Sequence, residues 1–383
     1  MVLTDCVRTM TGTESIHRRS LASALAGLPI VTEFESCARS RPNAPEPVVA
    51  YAPGLPMLMG SRADTIPNRG LSPAISVPHP GGEVGSQLVV VGWHAVRGSS
   101  FYRFPPGAGQ QGIERQLHLL TRVAHVVHLG EALDALSAGQ KLPSRAVALT
   151  FDDGYCDNLE IAVPLLERFG VPATFFLVPG FLSRRVPAWW EVLAWAVVNR
   201  TRDVCSWEGE TLLSESVPDD AVLARLAERL KRRDRHSRQE ALLELTNRLA
   251  PAGSPDDLFL DWEGARSLVQ RRFDIGSHTM FHSILSSEAA EEQRRDLADS
   301  RHQLEEELGA PVRILAYPNG LPGDYDETTI SMARSAGYAY ALSTERGINR
   351  RTTPRYEVKR FMVDPSAGLT AIKGIVKAVF SGR

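Results

Sequence analysis

Two polar clusters, each following an apolar run, hold the residues of this sequence best suited to chemistry. The first is ALTFDDGYCDN at 148–158, where Asp152 and Asp153 stand side by side after a stretch of β-favouring residues. Adjacent carboxylates repel, so keeping both ionised requires a cation nearby. The second is FDIGSHTMFHS at 273–283, with His278 and His282 four positions apart. At that spacing a helical turn or tight loop brings both imidazoles to one side. Two neutral imidazoles and one carboxylate make a three-ligand set for a divalent cation, with a position left for water. Two loop histidines with no ligand role are the plainer alternative. The aspartate doublet at another strand end favours the cation, which would relieve the repulsion between the carboxylates.

A third stretch, ILAYPNGLPGDYD at 314–326, runs from a predicted strand into Tyr317-Pro318-Asn319-Gly320. Backbone N–H groups of such a turn can face a pocket and stabilise a developing oxyanion. The same tetrapeptide is also simply a favourable turn. The fourth candidate is His94 in VVVGWHAV, which on its own reads as a structural histidine closing a buried strand.

Positioning these groups needs a parallel α/β body. Strands are predicted at 87–96, 125–129, 146–151 and 172–178, and helices over 112–123, 131–139 and 158–170, the last opening on the capping pattern of Asp157 and Glu160. This βαβαβαβ order implies parallel strands with crossover helices, whose ligands gather at the carboxyl ends of the strands. Between about 181 and 260 the alternation breaks into helices near 188–198, 219–233 and 237–249, read as a helical insertion. Trp189, Trp190 and Trp195 sit there among apolar residues and are expected to pack rather than bind sugar. Alternation then resumes with helix 262–272, strand 273–278, a long charged helix over 286–308, strands at 313–318, 338–343 and 356–363, and a short C-terminal helix. Residues 1–86, rich in Pro, Gly and Ser, read as a mostly irregular leader before a domain spanning 87–383.

The chain has 383 residues, 43% hydrophobic and 23% charged, and a net charge of −2, so no global field favours nucleic acid or an anionic membrane. No apolar run is long enough for a transmembrane segment. Cys6, Cys37, Cys156 and Cys205 show no CxxC spacing, which argues against a thiolate zinc site or disulfide framework. HRRSLASALAGLPIV at 17–31 has a weak twin-arginine character that leaves export open, while a cytoplasmic location is slightly favoured. Oligomeric state is left unknown.

TFDDG at 150–154, SHTMFH at 277–282 and AYPNG at 316–320, in this order, resemble the motifs of the polysaccharide deacetylase family, also called the NodB-homology family or carbohydrate esterase family four. The resemblance spans about 87–365, apart from much of the insertion. It implies a distorted (β/α) barrel, usually seven-stranded, and metal-dependent removal of an N-acetyl group from an amino sugar in a glycan. Carried over by position, it makes Asp152 the catalytic base and Asp153, His278 and His282 the metal ligands. Thr279 becomes a brace of the histidine loop, Asn319 the donor of a backbone amide to the oxyanion, and Tyr317, Pro318 and Gly320 its support. Zinc is the default metal for this ligand set, which also accepts cobalt, nickel or iron.

Two departures stand out. Ala316 occupies the place where the family commonly has an arginine orienting the base. The late Leu-x-His segment that supplies a general acid in many members is missing, since no histidine follows His302. GWHAV is similar to an early strand of a circularly permuted branch acting on poly-N-acetylglucosamine, which implies that His94 is the acid. Hydrolysis of another acyl group on a lipid-linked or small amino sugar, and a catalytically silent glycan-binding role, stay open as alternatives.

Overall fold

In the computed structural model, which describes residues 87–202, 206–208, 210–211 and 219–380, seven parallel strands curl into a barrel. The expected leader over 1–86 lies outside the described residues. β1 (Gln87–Trp93) pairs in parallel with β2 (Ala146–Phe151), from Leu88 opposite Ala146 to Trp93 opposite Phe151. The ladder continues through β3 (Thr174–Leu177), β4 (Asp274–Ser277), β5 (Ile314–Ala316) and β6 (Tyr340–Leu342). The segment 355–362 completes the ring. On one side Val358 bridges Leu342 of β6; on the other, β7 (Phe361–Met362) pairs in parallel with Val91 and Gly92 of β1. Only part of the 356–363 stretch expected as one strand is regular, because it changes partner midway. The strand expected at 125–129 shortens to His125–Val126, beside the start of β2.

Strand alternation sorts the side chains into two layers. Leu88 and Val90, Ala146 and Ala148, Phe176, Ile314, Ala316 and Leu342 cluster in the lumen. Leu129, Leu133 and Leu136 of α2 (Leu129–Ser137) join them where the strands begin. Val89, Val91 and Trp93, Val147, Leu149 and Phe151, Phe175, Leu177 and Leu315 point outward and pack under α1 (Ala108–Val123), α3 (Val163–Phe169), α7 (Trp262–Gln270) and α8 (Ala290–Leu308). The strands are thus buried on both faces, which explains their unbroken apolar runs. The observed fold is the expected (β/α)7-type barrel.

Between β3 and β4, helices α4 (Trp189–Val198), α5 (Asp219–Lys231) and α6 (Arg235–Leu249) share a separate core of Leu193, Trp195, Trp207, Leu226, Leu230 and Leu245. The Asp234 carboxylate caps α6 by accepting from the Ser237 N–H. α9 (Glu327–Ser335) follows β5, and α10 (Gly368–Phe380) follows β7. None of these helices is long and apolar enough to cross a membrane.

Asp157 does not cap its own helix, contrary to its sequence pattern. Residues Asn158–Ala162 wind as a π-helix, and the Asp157 carboxylate instead accepts from the amides of Val96 (2.9 Å) and Arg97 (2.6 Å). These amides leave β1 without ladder partners, that of Val96 in the interior, and so compete successfully for the acceptor.

The lumen is packed tightly just below its open end. A Cβ on Gly276 would fall 2.3 Å from the Phe176 ring and 3.1 Å from the Ile314 carbonyl oxygen. Gly276→Ala is therefore expected to lower stability by about 1–3 kcal/mol, the cost of overpacking a core. Chemical denaturation of the two proteins measures it, and an unchanged midpoint would contradict this packing.

Candidate active site

Register alone brings His94 and Asp152 together. Trp93 and Phe151 are paired and both point outward, so the next residues, His94 and Asp152, both turn inward at the carboxyl ends of adjacent strands. The Asp152 N–H donates to the Trp93 carbonyl at 2.9 Å. The Asn158 side chain holds the His94 carbonyl, also at 2.9 Å.

Asp153 lies one residue further on, in a left-handed backbone conformation (φ 73°) that turns its carboxylate toward the histidine loop. Its Oδ1 is 3.4 Å from His278 Nε2 and 3.3 Å from His282 Nε2, with all three side chains buried. Neither contact has the geometry of a hydrogen bond, so Oδ1 is a buried acceptor with no donor. Donor atoms of the three residues lie within 4.8 Å of one another. His278 donates its Nδ1 proton to the Ala316 carbonyl (2.8 Å), which leaves the Nε2 lone pair facing Asp153. Burial pushes the His282 imidazole down to about 4, whereas at His278 burial also lowers but Asp153 and Asp152 outweigh it and raise the imidazole above its ordinary value. Two imidazole lone pairs converging on an unsatisfied carboxylate oxygen fit a divalent cation. Burial pushes Asp153 up, but the adjacent imidazoles outweigh it and hold the carboxyl well below its ordinary range.

Sequence reasoning missed Arg360. With Ala316 in the usual place of the orienting arginine, the base looked unsupported. The structure supplies the guanidinium from β7's approach instead: Arg360 Nη1 donates to Asp152 Oδ1 at 2.8 Å, and neither side chain is more than 1% exposed. Arg360 Nε donates to the Ser343 carbonyl at 3.1 Å, and the Phe176 ring lies under the guanidinium. Burial pushes Asp152 up, while Arg360, then His278 and His94, pull it below its ordinary value. The available signal was one arginine, at an inward position, in the predicted strand YEVKRFMV.

The histidine loop is braced from several sides. Thr279 accepts the Ser283 N–H on its hydroxyl (3.2 Å), Ser283 Oγ donates to Asp296 of α8 (2.7 Å), and Ser277 Oγ bonds Ser300 Oγ on the same helix. Asp296 also accepts the Met280 N–H. This bracing holds Thr279 (φ 66°) and His282 (φ 53°) in left-handed conformations that non-glycine residues seldom adopt.

Asn319 (φ 58°) is the fourth such residue at this end of the barrel, after Asp153, Thr279 and His282. Its carbonyl accepts from Thr344 Oγ1 at 2.6 Å, and its own N–H has no partner among the described residues. Pro318 has no N–H, and the Gly320 N–H turns back to the Pro318 carbonyl at 2.7 Å. Asn319 is thus the amide that this turn leaves open. The Tyr317 side chain faces away from the lumen and stacks on Tyr325 at 4.2 Å, so Tyr317 can serve the site only through its backbone.

The insertion contributes a wall. The Trp190 ring packs on His282 with 4.4 Å between centroids, and its Nε1 donates to the Tyr155 hydroxyl at 2.9 Å. Tyr155 in turn donates to the buried Glu191 carboxylate at 3.0 Å. Trp195 packs in the insertion core, as expected, while Trp190 packs against a site histidine.

A closed (β/α)7 barrel with a buried Asp-His-His set beside an Asp–Arg pair defines a class: barrel proteins with a buried donor set fit for a divalent cation. The family described as polysaccharide deacetylase matches residues 139–341, more than half of the 383 residues, and the chain belongs to that family. YxkH of Bacillus subtilis (strain 168), whose name places it among the polysaccharide deacetylases, is 21% identical over 249 residues, 65% of this chain. The chain spans 62% of that relative's length. The solved structure of the deacetylase PplD of Streptococcus pyogenes superposes with a TM-score of 0.51 at 16% identity, over 77% of this chain and 99% of that one. This likeness is one of fold. IcaB from Ammonifex degensii aligns with a TM-score of 0.49 at 21% identity, over 77% and 97% of the two chains.

Arg360→Met leaves the buried Asp152 carboxylate without its cation and is expected to cost about 3–5 kcal/mol of stability by chemical denaturation. A second outcome concerns pH. Burial raises Glu191 to about 7. Between the ordinary carboxyl range and that value the folded chain binds more protons than the unfolded one, so stability falls as pH rises through this window. Glu191→Gln cannot ionise, and its melting temperature should fall less than that of the wild type between pH about 5 and about 8. Parallel curves would show that Glu191 does not titrate in that window.

Proposed function

We propose that the protein is a metal-dependent hydrolase that removes the N-acetyl group from an N-acetylated amino sugar in a glycan. The observation that carries this reading is the convergence of Asp153, His278 and His282 on one buried point beside an ionised, guanidinium-paired Asp152. PplD, whose fold this chain shares, was solved in complex with acetate, the acid that N-deacetylation releases.

Asp153, His278 and His282 would hold the cation, with zinc the default and cobalt, nickel or iron also accepted by such ligands. When bound, the cation polarises the acyl oxygen and lowers the pKa of water toward neutrality. Asp152 acts as the base: Arg360 ties down Oδ1 and keeps the carboxylate ionised, leaving Oδ2 to take the proton of the attacking water. The Asn319 N–H donates to the acyl oxygen as it becomes negative. His94, level with Asp152 on the adjacent strand, protonates the departing nitrogen as the C–N bond breaks. Acetate and a free amine leave. Arg360 also removes one ground for a silent glycan-binding role, because the support of the base that Ala316 lacks is present from another strand.

The purified protein, loaded with zinc, is expected to release acetate from at least one member of a panel of acetylated glycans. Asp152→Asn should keep its metal and lose turnover by about 10²- to 10⁴-fold, the range of a general base. His278→Ala should lose both metal and turnover. Full metal occupancy in His278→Ala, measured by elemental analysis, would refute the ligand assignment. An undiminished rate in His94→Ala would assign the acid elsewhere.

A further inference from the structure

Side chains form a continuous wall around the mouth of the Asp153–His278–His282 site. From His282 it passes through Trp190 to Tyr155, whose ring meets Tyr102 edge-on at 5.9 Å and 80°. Tyr102 then lies nearly parallel to His94, at 6.0 Å and 24°. The phenol of Tyr102 therefore stands between the inferred acid and the aromatic face over a metal-ligand histidine.

Its hydroxyl differs from most tyrosine hydroxyls of the barrel. Those of Tyr155, Tyr338, Tyr340 and Tyr356 each donate to a protein acceptor. The Tyr102 hydroxyl meets no hydrogen-bond partner among the described residues, although the side chain is half-buried. Burial first, then the fields of Asp153, Glu191, Asp152 and Asp157, raise its pKa well above the ordinary value, so it is an O–H donor at neutral pH.

The loop that carries Tyr102 is locked. Ser99 Oγ accepts the Tyr102 N–H (2.9 Å) and itself donates to Glu191 (2.8 Å), which also accepts the Phe101 N–H (3.3 Å). Glu191 belongs to the insertion helix α4, so the insertion fixes the β1 loop. Holding a lone donor this firmly, with no acceptor of its own, suits a ligand rather than the fold.

We infer that Tyr102 is a substrate-binding residue, held in place by Glu191, whose phenol O–H donates to an oxygen of the bound acetamido sugar. Its ring, packed on His94, sets the orientation of that imidazole. This rests on the proposed deacetylase reading and deepens it by naming a residue, absent from the family motifs, that grips the sugar.

The test uses the zinc-loaded full chain and a soluble oligomer of N-acetylglucosamine, with acetate release for turnover and calorimetry for binding. Tyr102→Phe keeps the ring and loses the donor. It should raise KM and weaken binding about three- to tenfold, the worth of one hydrogen bond, with kcat and metal content near wild type. Glu191→Ala should weaken binding similarly and speed amide hydrogen exchange at Phe101 and Tyr102. Unchanged KM and binding in Tyr102→Phe, with an active wild type, would overturn the inference and leave the deacetylase reading standing. A wild type that binds the oligomer, more weakly after Tyr102→Phe, but hydrolyses no member of the acetylated-glycan panel would uphold the inference and remove the deacetylase reading. A wild type that neither binds nor hydrolyses any member of the acetylated-glycan panel would overturn both.

Discussion

Asp152 and Asp153 are neighbouring carboxylates removed from water, and such charges coexist only where each has its own compensating partner. For Asp152 that partner is Arg360, inside the barrel and in direct contact. Against Asp153 no guanidinium or ammonium stands among the described residues; two imidazoles face its Oδ1 instead. The division matters chemically. A base must be ionised yet free to accept a proton, and a metal ligand must be ionised yet unpaired. Arginine, which cannot lose its proton in a protein, suits the first task. Two converging imidazoles suit the second.

The rest of the barrel's open end keeps these groups from relaxing. Left-handed backbone at Asp153, Thr279, His282 and Asn319 persists because hydrogen bonds from α8, from Thr344 and within the histidine loop hold it there. Asp157 gives up its expected capping role to hold the amides after His94, and Asn158 holds the His94 carbonyl. The insertion adds Trp190 over His282 and Glu191 under the Tyr102 loop. Segments from at least six places in the chain thus meet around one small volume, braced by neighbours far away in sequence.

Several of these features were legible before any fold was known. The apolar runs marked most ring strands because a barrel buries both faces of its sheet. The doublet and the H-x-x-x-H spacing marked the donor set because metal ligands must be close in space and are often close in sequence. Arg360 was not legible as a partner of Asp152: 208 residues separate them, and a lone arginine in a strand has no local signature. Tyr102 and Glu191 were invisible for the same reason, since their meaning comes from contacts between a loop and an inserted helix.

By itself the sequence determined the alternation of the elements, the inward period of the strands and the identity of the side chains that converge in the candidate donor set. Those depend on residue type and short-range spacing. Only the tertiary structure decided which cation neutralises which carboxylate, which amide of the Asn319 turn is left open and what the insertion does. The first of these depends on where the ring closes: β7 pairs with β1, and that pairing carries Arg360 to Asp152.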